Sequence, residues 1–374
     1  MLSLIFFVMV FYILILLSQI NGIITFDIPK LVRHQEMILS SKENVPRRTT
    51  PPEFVKGIYL TAYSANRGDW MDRLITKIKD GGEINSLVID IKDYTGYILY
   101  DTEIEEVEEL GLENIQIDDL KGLLKKLKEA GIYSIARLTV FQDPALAKAK
   151  PELALKKHNG HTWYNWNGLA FTDPQNKQVW DYNINIAKEA AKFGFDEINF
   201  DYMRYPSDGN LKLIDYNVPE GKVRADILEE FFAYLSDELT STTNISVDLF
   251  GMVMDNVDTE YDLGIGQRLE RTLDYFDFIC PMMYPSHYPT NYLGIGNPAA
   301  YPGPVIAFGI KKASPYFENK RASLRPWLQA FSIGAVYNEK RIEAQEIEVE
   351  KATSTTGWLL WNARNYYEDH NFVE

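Results

Sequence analysis

The sequence predicts an α/β fold: a single (β/α)8 TIM barrel preceded by an N-terminal apolar targeting or anchor segment. Three observations predict it. From Phe54 onward strand-like runs alternate with helix-like runs, and the strand candidates number eight. Polar and charged residues recur late in those strands or just after them, as expected at the mouth of a barrel whose interior is otherwise filled by side chains. The alternative, a doubly wound sheet, is weakened because no strand runs into a Gly-rich phosphate loop. Gly264-Ile-Gly-Gln and Gly294-Ile-Gly-Asn neither follow a strand nor open a helix, and read as loop glycines.

Taken in order, residues 1–22 form a signal peptide or signal anchor. The run 2–17 is almost unbroken apolar sequence, without a preceding Lys or Arg. Its length is close to the ~20 residues that span a bilayer, so a retained anchor and a removed signal are both open. No Cys follows it, which excludes a bacterial lipoprotein anchor. Residues 23–53 are a linker, with a short helix at 34–42 and a polar, breaker-rich end, Glu43-Asn-Val-Pro-Arg-Arg-Thr-Thr-Pro-Pro. It reads as a flexible tether, and residues 54–374 are the barrel. The rest of the chain is then expected outside the cytoplasm, secreted or tethered.

The strand candidates are 55–62, 86–92, 133–141, 197–203, 246–254, 276–283, 325–331 and 357–363. Helical spacing separates most of them. Trp70, Met71, Leu74, Ile75 and Ile78 form one apolar face; Leu120, Leu123, Leu124 and Leu127 form another, and Ile184, Ala187, Ala190 and Ala191 a third. With 374 residues, 46% of them hydrophobic and 13% aromatic, the chain suffices for one large domain with a substantial core. A formal net charge of −15 argues against nucleic acid and against a basic membrane-docking face, so the membrane is met only through the N-terminal segment. The single cysteine, Cys280, allows no intramolecular disulfide and reads as a small buried hydrophobe rather than a nucleophile. Asn244-Ile-Ser is a glycosylation acceptor only in a eukaryotic source.

The most informative stretch is 195–206, Phe-Asp-Glu-Ile-Asn-Phe-Asp-Tyr-Met-Arg-Tyr-Pro. Strand alternation puts Asn199 and Asp201 on one face. A carboxylate in an apolar strand is costly unless paired, hydrogen-bonded or used, and at the C-terminal end of a barrel strand it reads as catalytic. Other strands add polar groups: Asp90 and Lys92 on one face of the second, with Asp93 just past it; Arg137 in the third; Asp248 in the fifth. Tyr284 and His287 follow the sixth, Arg325, Trp327 and Gln329 share a face of the seventh, and Asn362 lies late in the eighth. Arriving together, they imply a shared wet site rather than isolated structural ion pairs.

Several motifs recur in a familiar order: Ile89-Asp-Ile-Lys-Asp, Ile135-Ala-Arg, the 195–206 run, Pro281-Met-Met-Tyr-Pro-Ser-His-Tyr, Arg325-Pro-Trp-Leu-Gln and Gly357-Trp-Leu-Leu-Trp-Asn. As a set, over about residues 54 to 370, they resemble the bacterial glycoside hydrolase domain family whose barrel is distantly similar to that of the α-amylases. The resemblance implies hydrolysis of O-glycosidic bonds in an extracellular or cell-envelope polysaccharide or oligosaccharide, without a cofactor. In α-amylase-like enzymes the nucleophile is an Asp ending strand four, a position matched by Asp201, and the acid is a Glu ending strand five. Here strand five offers Asp248 and, further on, Asp255, but no Glu, which leaves the acid unassigned. The 195–206 run is also similar to the chitinase signature ending Asp-x-Glu, but Met203 stands where the catalytic Glu would be.

Glycoside hydrolysis needs two carboxyl groups across the scissile bond. Asp201 is the expected ionised partner, with Arg137 beside it. Asp248 and Asp93 are the candidate acids, Asp90 a weaker one, since a salt bridge to Lys92 or Arg137 explains Asp90 equally well. Trp163 and Trp166, in the long stretch after strand three, are candidate sugar-stacking residues, because a loop has little packing need for two tryptophans. Trp327 and Trp361 serve stacking or core equally. Asp90, Arg137, Asn199, Arg204, Tyr284, His287, Gln329 and Asn362 complete the expected substrate-binding set. No metal site is expected: the first strand lacks His-x-His, and His158-Asn-Gly-His lies in a polar loop. No Gly-x-Ser-x-Gly elbow supports serine hydrolysis. The remaining rival is a barrel that binds cell-envelope glycan without cutting it.

Overall fold

The computed structural model describes residues 48–367. The signal or anchor segment, the helix expected at 34–42, His34 and His370 lie outside the described residues. No helix among the described residues is long and apolar enough to cross a membrane.

Eight parallel strands close on themselves. They are β1 (Val55–Leu60), β2 (Ser86–Lys92), β3 (Tyr133–Thr139), β4 (Glu197–Asp201), β5 (Asn244–Phe250), β6 (Phe278–Met283), β7 (Trp327–Gln329) and β8 (Gly357–Trp361). Each pairs in parallel with the next, and β8 returns to β1 with Val55 opposite Gly357 and Ile58 opposite Leu360. All eight expected strands are present, mostly shorter at their C-terminal ends. Residues 251–254, expected to continue the fifth strand, belong instead to a 3-10 helix, Gly251–Asp255.

Helices cover the outside: α1 (Gly68–Lys79), α2 (Leu120–Glu129), α3 (Lys177–Phe193), α4 (Arg224–Leu239), α5 (Pro302–Ala313) and α6 (Glu339–Glu350). The apolar stripes read from the sequence are the buried faces, with Met71 and Leu74 on α1 and Leu120, Leu123, Leu124 and Leu127 on α2. Burying each such side chain is worth roughly 1.5–3 kcal/mol. Asp119 caps α2 by accepting from the Gly122 N–H at 2.8 Å, and α3 ends at Gly194, whose φ of 120° suits only glycine. Between β5 and β6 the described residues hold 3-10 turns and no α-helix. That stretch carries Leu263, Gly264 and Gly266 at positive φ, which a helix cannot accommodate.

The interior of the barrel packs separately from the helix layer, around Val55, Val88, Ile135, Phe278, Cys280 and Leu359. Cys280 is buried there, as expected, and burial pushes its thiol up to about 12. The expectation that interior polar groups cluster at the mouth fails at the opposite end. Arg325 and Glu197, both fully buried, form an ion pair near the N-terminal ends of the strands. Glu197 also accepts from Tyr133 at 3.0 Å and Ser246 at 2.6 Å. Arg325 is therefore part of a closed polar layer and not of a wet site.

Two further expectations are corrected here. Residues 48–53 are not a free tether along their whole length: Arg48 bonds Asn244 at 2.8 Å and pairs with Asp277, and Thr49 reaches the Asp196 carbonyl. Asn244 is buried, its amide donating to Thr49 and Asp196 carbonyls and to the Tyr133 hydroxyl. It is committed to the base of the barrel and inaccessible to glycosylation.

Candidate active site

The C-terminal ends of the strands converge on Arg137, from β3. Its Nη1 donates to Asp90 Oδ1 on β2 at 2.6 Å, its Nη2 pairs with Asp201 Oδ2 on β4, and its Nε lies 3.9 Å from Asp248 Oδ2 on β5. One guanidinium fork thus meets three carboxylates from three strands, a geometry that a point-charge ammonium cannot provide. The register explains the convergence: Asp90 stands opposite Arg137, and Arg137 opposite Asn199, across adjacent parallel strands. The guanidinium also lies over Trp361, 4.9 Å from the ring centroid, and Trp361 stacks on Tyr59 at 3.9 Å.

Each carboxylate has its own support. Asp90 accepts from the Tyr59 hydroxyl at 2.5 Å. Asp248 accepts from Asn199 at 2.8 Å and from the Trp327 indole N–H at 2.7 Å, both through Oδ1. Asp201 Oδ1 takes the Tyr202 backbone N–H at 2.5 Å. Tyr202 itself sits at φ 52°, a left-handed conformation costing a residue with Cβ roughly 1–2 kcal/mol. The strand breaks off at that residue, leaving Asp201 as its last member.

The electrostatics separate the carboxyl groups. Burial first, and the neighbouring Asp201 charge second, push the Asp248 carboxyl well above the usual carboxylate range, against the opposing pull of Arg137, Asn199 and Trp327. Asp90 is also raised by burial, with Arg137 and Tyr59 opposing. Burial would lower Arg137, but Asp90 and Asp201 outweigh it and hold its pKa well above the ordinary value.

A cavity of about 560 Å3 opens above this cluster, with Arg137, Asp201 and Asp248 in its floor and Arg204, Tyr284, His287, Trp327 and Trp361 in its walls. A second cavity of about 770 Å3 adjoins it, sharing His287 and Trp361. Tyr284 is buried and packs edge-on against His287 at 5.4 Å, and burial lowers the His287 pKa.

The other expected site residues lie elsewhere. Asp93 accepts from the Thr95 N–H and hydroxyl in a tight turn and does not line the cavity. Lys92 does not pair with Asp90. A register shift between the two breaks the alternation, and Lys92 reaches Asp143 at 2.6 Å and Asn183 on α3 at 3.0 Å. Asn199 is fully buried beneath Asp248 and supports it rather than facing the cavity. Gln329 is consumed by the backbone of Ser286, Phe331 and Ile333, and Asn362 by the carbonyls of Ala330 and Tyr366, so both clamp loops. Asn362 still borders the second cavity.

Trp163 is 1% exposed and donates to the Asn210 carbonyl. It cannot stack on a sugar. The stretch between β3 and β4 is no bare loop: its strand Lys156–Lys157 pairs with Ile214–Asp215, and Trp163 packs against Phe171 beside it. Trp166 is 75% exposed but lines neither cavity. His158 and His161 are exposed, and no group of three or more His, Cys, Asp and Glu among the described residues is arranged to hold a metal ion. Tyr59 was missed altogether, although its place three residues before the end of the first strand candidate, 55–62, carried the same inward alternation as Asp90 and Arg137.

Comparison with known proteins agrees with this architecture. Residues 57–367 match the model of the family described as "Putative glycosyl hydrolase domain". Among solved structures, a hypothetical protein from Ruminiclostridium thermocellum is 37% identical over 51% of this chain and 96% of its own, with a TM-score of 0.47. The glycoside hydrolase domain of PgaB from Bordetella bronchiseptica aligns over 86% of this chain and 98% of its own at 14% identity and a TM-score of 0.61. An α-galactosidase from Thermus thermophilus aligns over 87% of this chain and 63% of its own, at 12% identity and a TM-score of 0.52. These last two are likenesses of fold. No curated protein matches.

Proposed function

The chain belongs to that glycosyl hydrolase domain family, and we propose that it cleaves O-glycosidic bonds of an extracytoplasmic polysaccharide with Asp201 and Asp248 as its two carboxyl groups. The observation that carries this reading is their pairing. Two carboxyl groups on adjacent strands reach one guanidinium at the floor of a cavity, and burial together with the Asp201 charge raises the Asp248 carboxyl well above the usual carboxylate range. Asp248 is the general acid: protonated, it delivers its proton to the leaving-group oxygen. Asp201 is the nucleophile or base on the opposite side of the bond, oriented by Arg137 and the Tyr202 N–H.

Trp361 and Tyr284 offer apolar faces to a sugar ring, and His287 a polar edge between the two cavities. Two adjoining cavities suit several consecutive sugar units rather than one. Arg137, engaged by three carboxylates in the floor of the cavity, positions the acids. Export and tethering through the N-terminal segment are part of the same proposal, and rest on the apolar run 2–17.

The test is reducing-sugar release by the full chain across a broad glycan panel, with Asp201→Asn and Asp248→Asn alongside. Release by the native protein, with a fall of at least ~10³-fold in each variant and unchanged circular dichroism, is expected. Equal turnover in Asp201→Asn would remove it from the mechanism. Glycan binding without release, identical in all three proteins, would establish a non-catalytic glycan-binding barrel instead.

A further inference from the structure

Four cationic side chains are buried among the described residues: Lys92, Arg137, Arg204 and Arg325. Three have a carboxylate partner, Asp143 for Lys92, Asp90 and Asp201 for Arg137, and Glu197 for Arg325. Arg204 has none within ion-pair distance. Its one hydrogen bond runs from Nη1 to the Tyr205 carbonyl at 3.0 Å. Asp201 and Asp208 act on it only at longer range.

The guanidinium is held in place by aromatic faces rather than by charge. It lies 4.8 Å from the ring centroids of both Tyr202 and Phe250, and 5.8 Å from Phe171. Stacking fixes its plane while leaving N–H donors without a protein acceptor. Arg204 lines the cavity that holds Asp201 and Asp248. A buried cation without counter-charge is costly, and a stacked, pre-oriented fork is the arrangement that binds a planar or tetrahedral anion in two contacts.

Resting on the glycosidase reading above, we infer that Arg204 is the specificity determinant for an acidic substrate: it pairs with a carboxylate or phosphate carried by the sugar that occupies the cavity. The formal net charge of −15 repels a polyanion at long range, but that field is screened beyond ~8 Å at physiological ionic strength. Selection is therefore made at contact, by Arg204.

The probes are polygalacturonate, alginate and hyaluronan, each beside its carboxyl-reduced form, and phosphate-bearing wall glycans beside their dephosphorylated backbones. Hydrolysis by the full chain is compared with Arg204→Met, which keeps much of the bulk, and Arg204→Lys, which keeps the charge but not the fork. The expected result is a preference of about 10- to 100-fold in kcat/KM for one acidic glycan over its neutralised form. Arg204→Met abolishes that preference by lowering turnover of the acidic form alone, and Arg204→Lys restores part of it. The arm that responds identifies carboxylate or phosphate. A native protein that prefers neutral glycans, or an Arg204→Met change that lowers both forms equally, overturns the inference while leaving the glycosidase reading intact. If no glycan is cut, calorimetry with Asp201→Asn decides: selective acidic-glycan binding that Arg204→Met abolishes upholds the inference without catalysis, and no acidic-glycan binding overturns it.

Discussion

The Trp327 indole N–H donates to Asp248 Oδ1 at 2.7 Å, so a residue deep in β7 acts on the protonation of a carboxyl group on β5. Donation to a carboxylate favours its ionised form, and Trp327 accordingly draws the Asp248 pKa downward against burial. Trp327→Phe removes that donor and keeps an aromatic ring. The Asp248 pKa then rises. A general acid works only while protonated, so the alkaline limb of the pH–kcat/KM profile moves upward by about one pH unit. A limb that stays in place, or moves down, would detach Asp248 from the acid role.

Arg137 holds three carboxylates at once, and no single-point cation replaces its fork. Arg137→Met leaves Asp90 and Asp201 buried without counter-charge, at an expected cost of about 3–5 kcal/mol in urea unfolding. Arg137→Lys keeps the charge and recovers part of this stability, but kcat/KM falls by ~100-fold or more, because the two acids lose their common positioning. Native-like activity in the lysine variant would contradict the role of the fork.

Gly251 follows β5 at the edge of the cavity. A Cβ there would stand 2.4 Å from the Met282 carbonyl oxygen and 2.9 Å from the Tyr288 hydroxyl. The carbonyl belongs to β6 and cannot swing aside as a flexible side chain would. Gly251→Ala is expected to lower stability by about 1–3 kcal/mol and to raise KM by displacing the cavity wall. Unchanged thermal unfolding would show that the strand end gives way freely.

Glu346 on α6 is buried, and burial first, with the Glu83 charge next, raises its carboxyl to about 8. Because the folded-state pKa lies above the ordinary 4.5, its stabilising contribution is complete below about pH 4.5 and is lost as pH rises through about 8. Glu346→Gln mimics the protonated acid at every pH. Its melting temperature should match that of the native protein at acid pH and exceed it increasingly toward pH 9. Parallel pH curves for the two proteins would refute the shift.

Much of the barrel was legible because its signals are local. Eight β-rich runs, amphipathic stripes such as Leu120 to Leu127, and caps such as Asp119 and Gly194 each act within a few residues. The alternation of Asn199 with Phe200 and of Asp90 with Ile91 correctly marked inward positions. The same rule failed at Lys92, where a bulge inside one strand reversed the face, and at Trp163, where a loop built a small sheet of its own.

By itself the sequence determined the number and order of strands, the faces of the helices, the burial of Cys280, and a short set of polar residues able to gather at one end. Only the tertiary structure decided which of them meet. Parallel register brought Asp90, Arg137, Asp201 and Asp248 together from four strands and sent Arg325 to Glu197 at the opposite end. It tied Gln329 and Asn362 to loop backbone, and left Arg204 facing the cavity without a counter-ion. The reason is range: alternation and amphipathicity are written in neighbouring residues, whereas charge pairing depends on distances between strands that lie tens of residues apart in the chain.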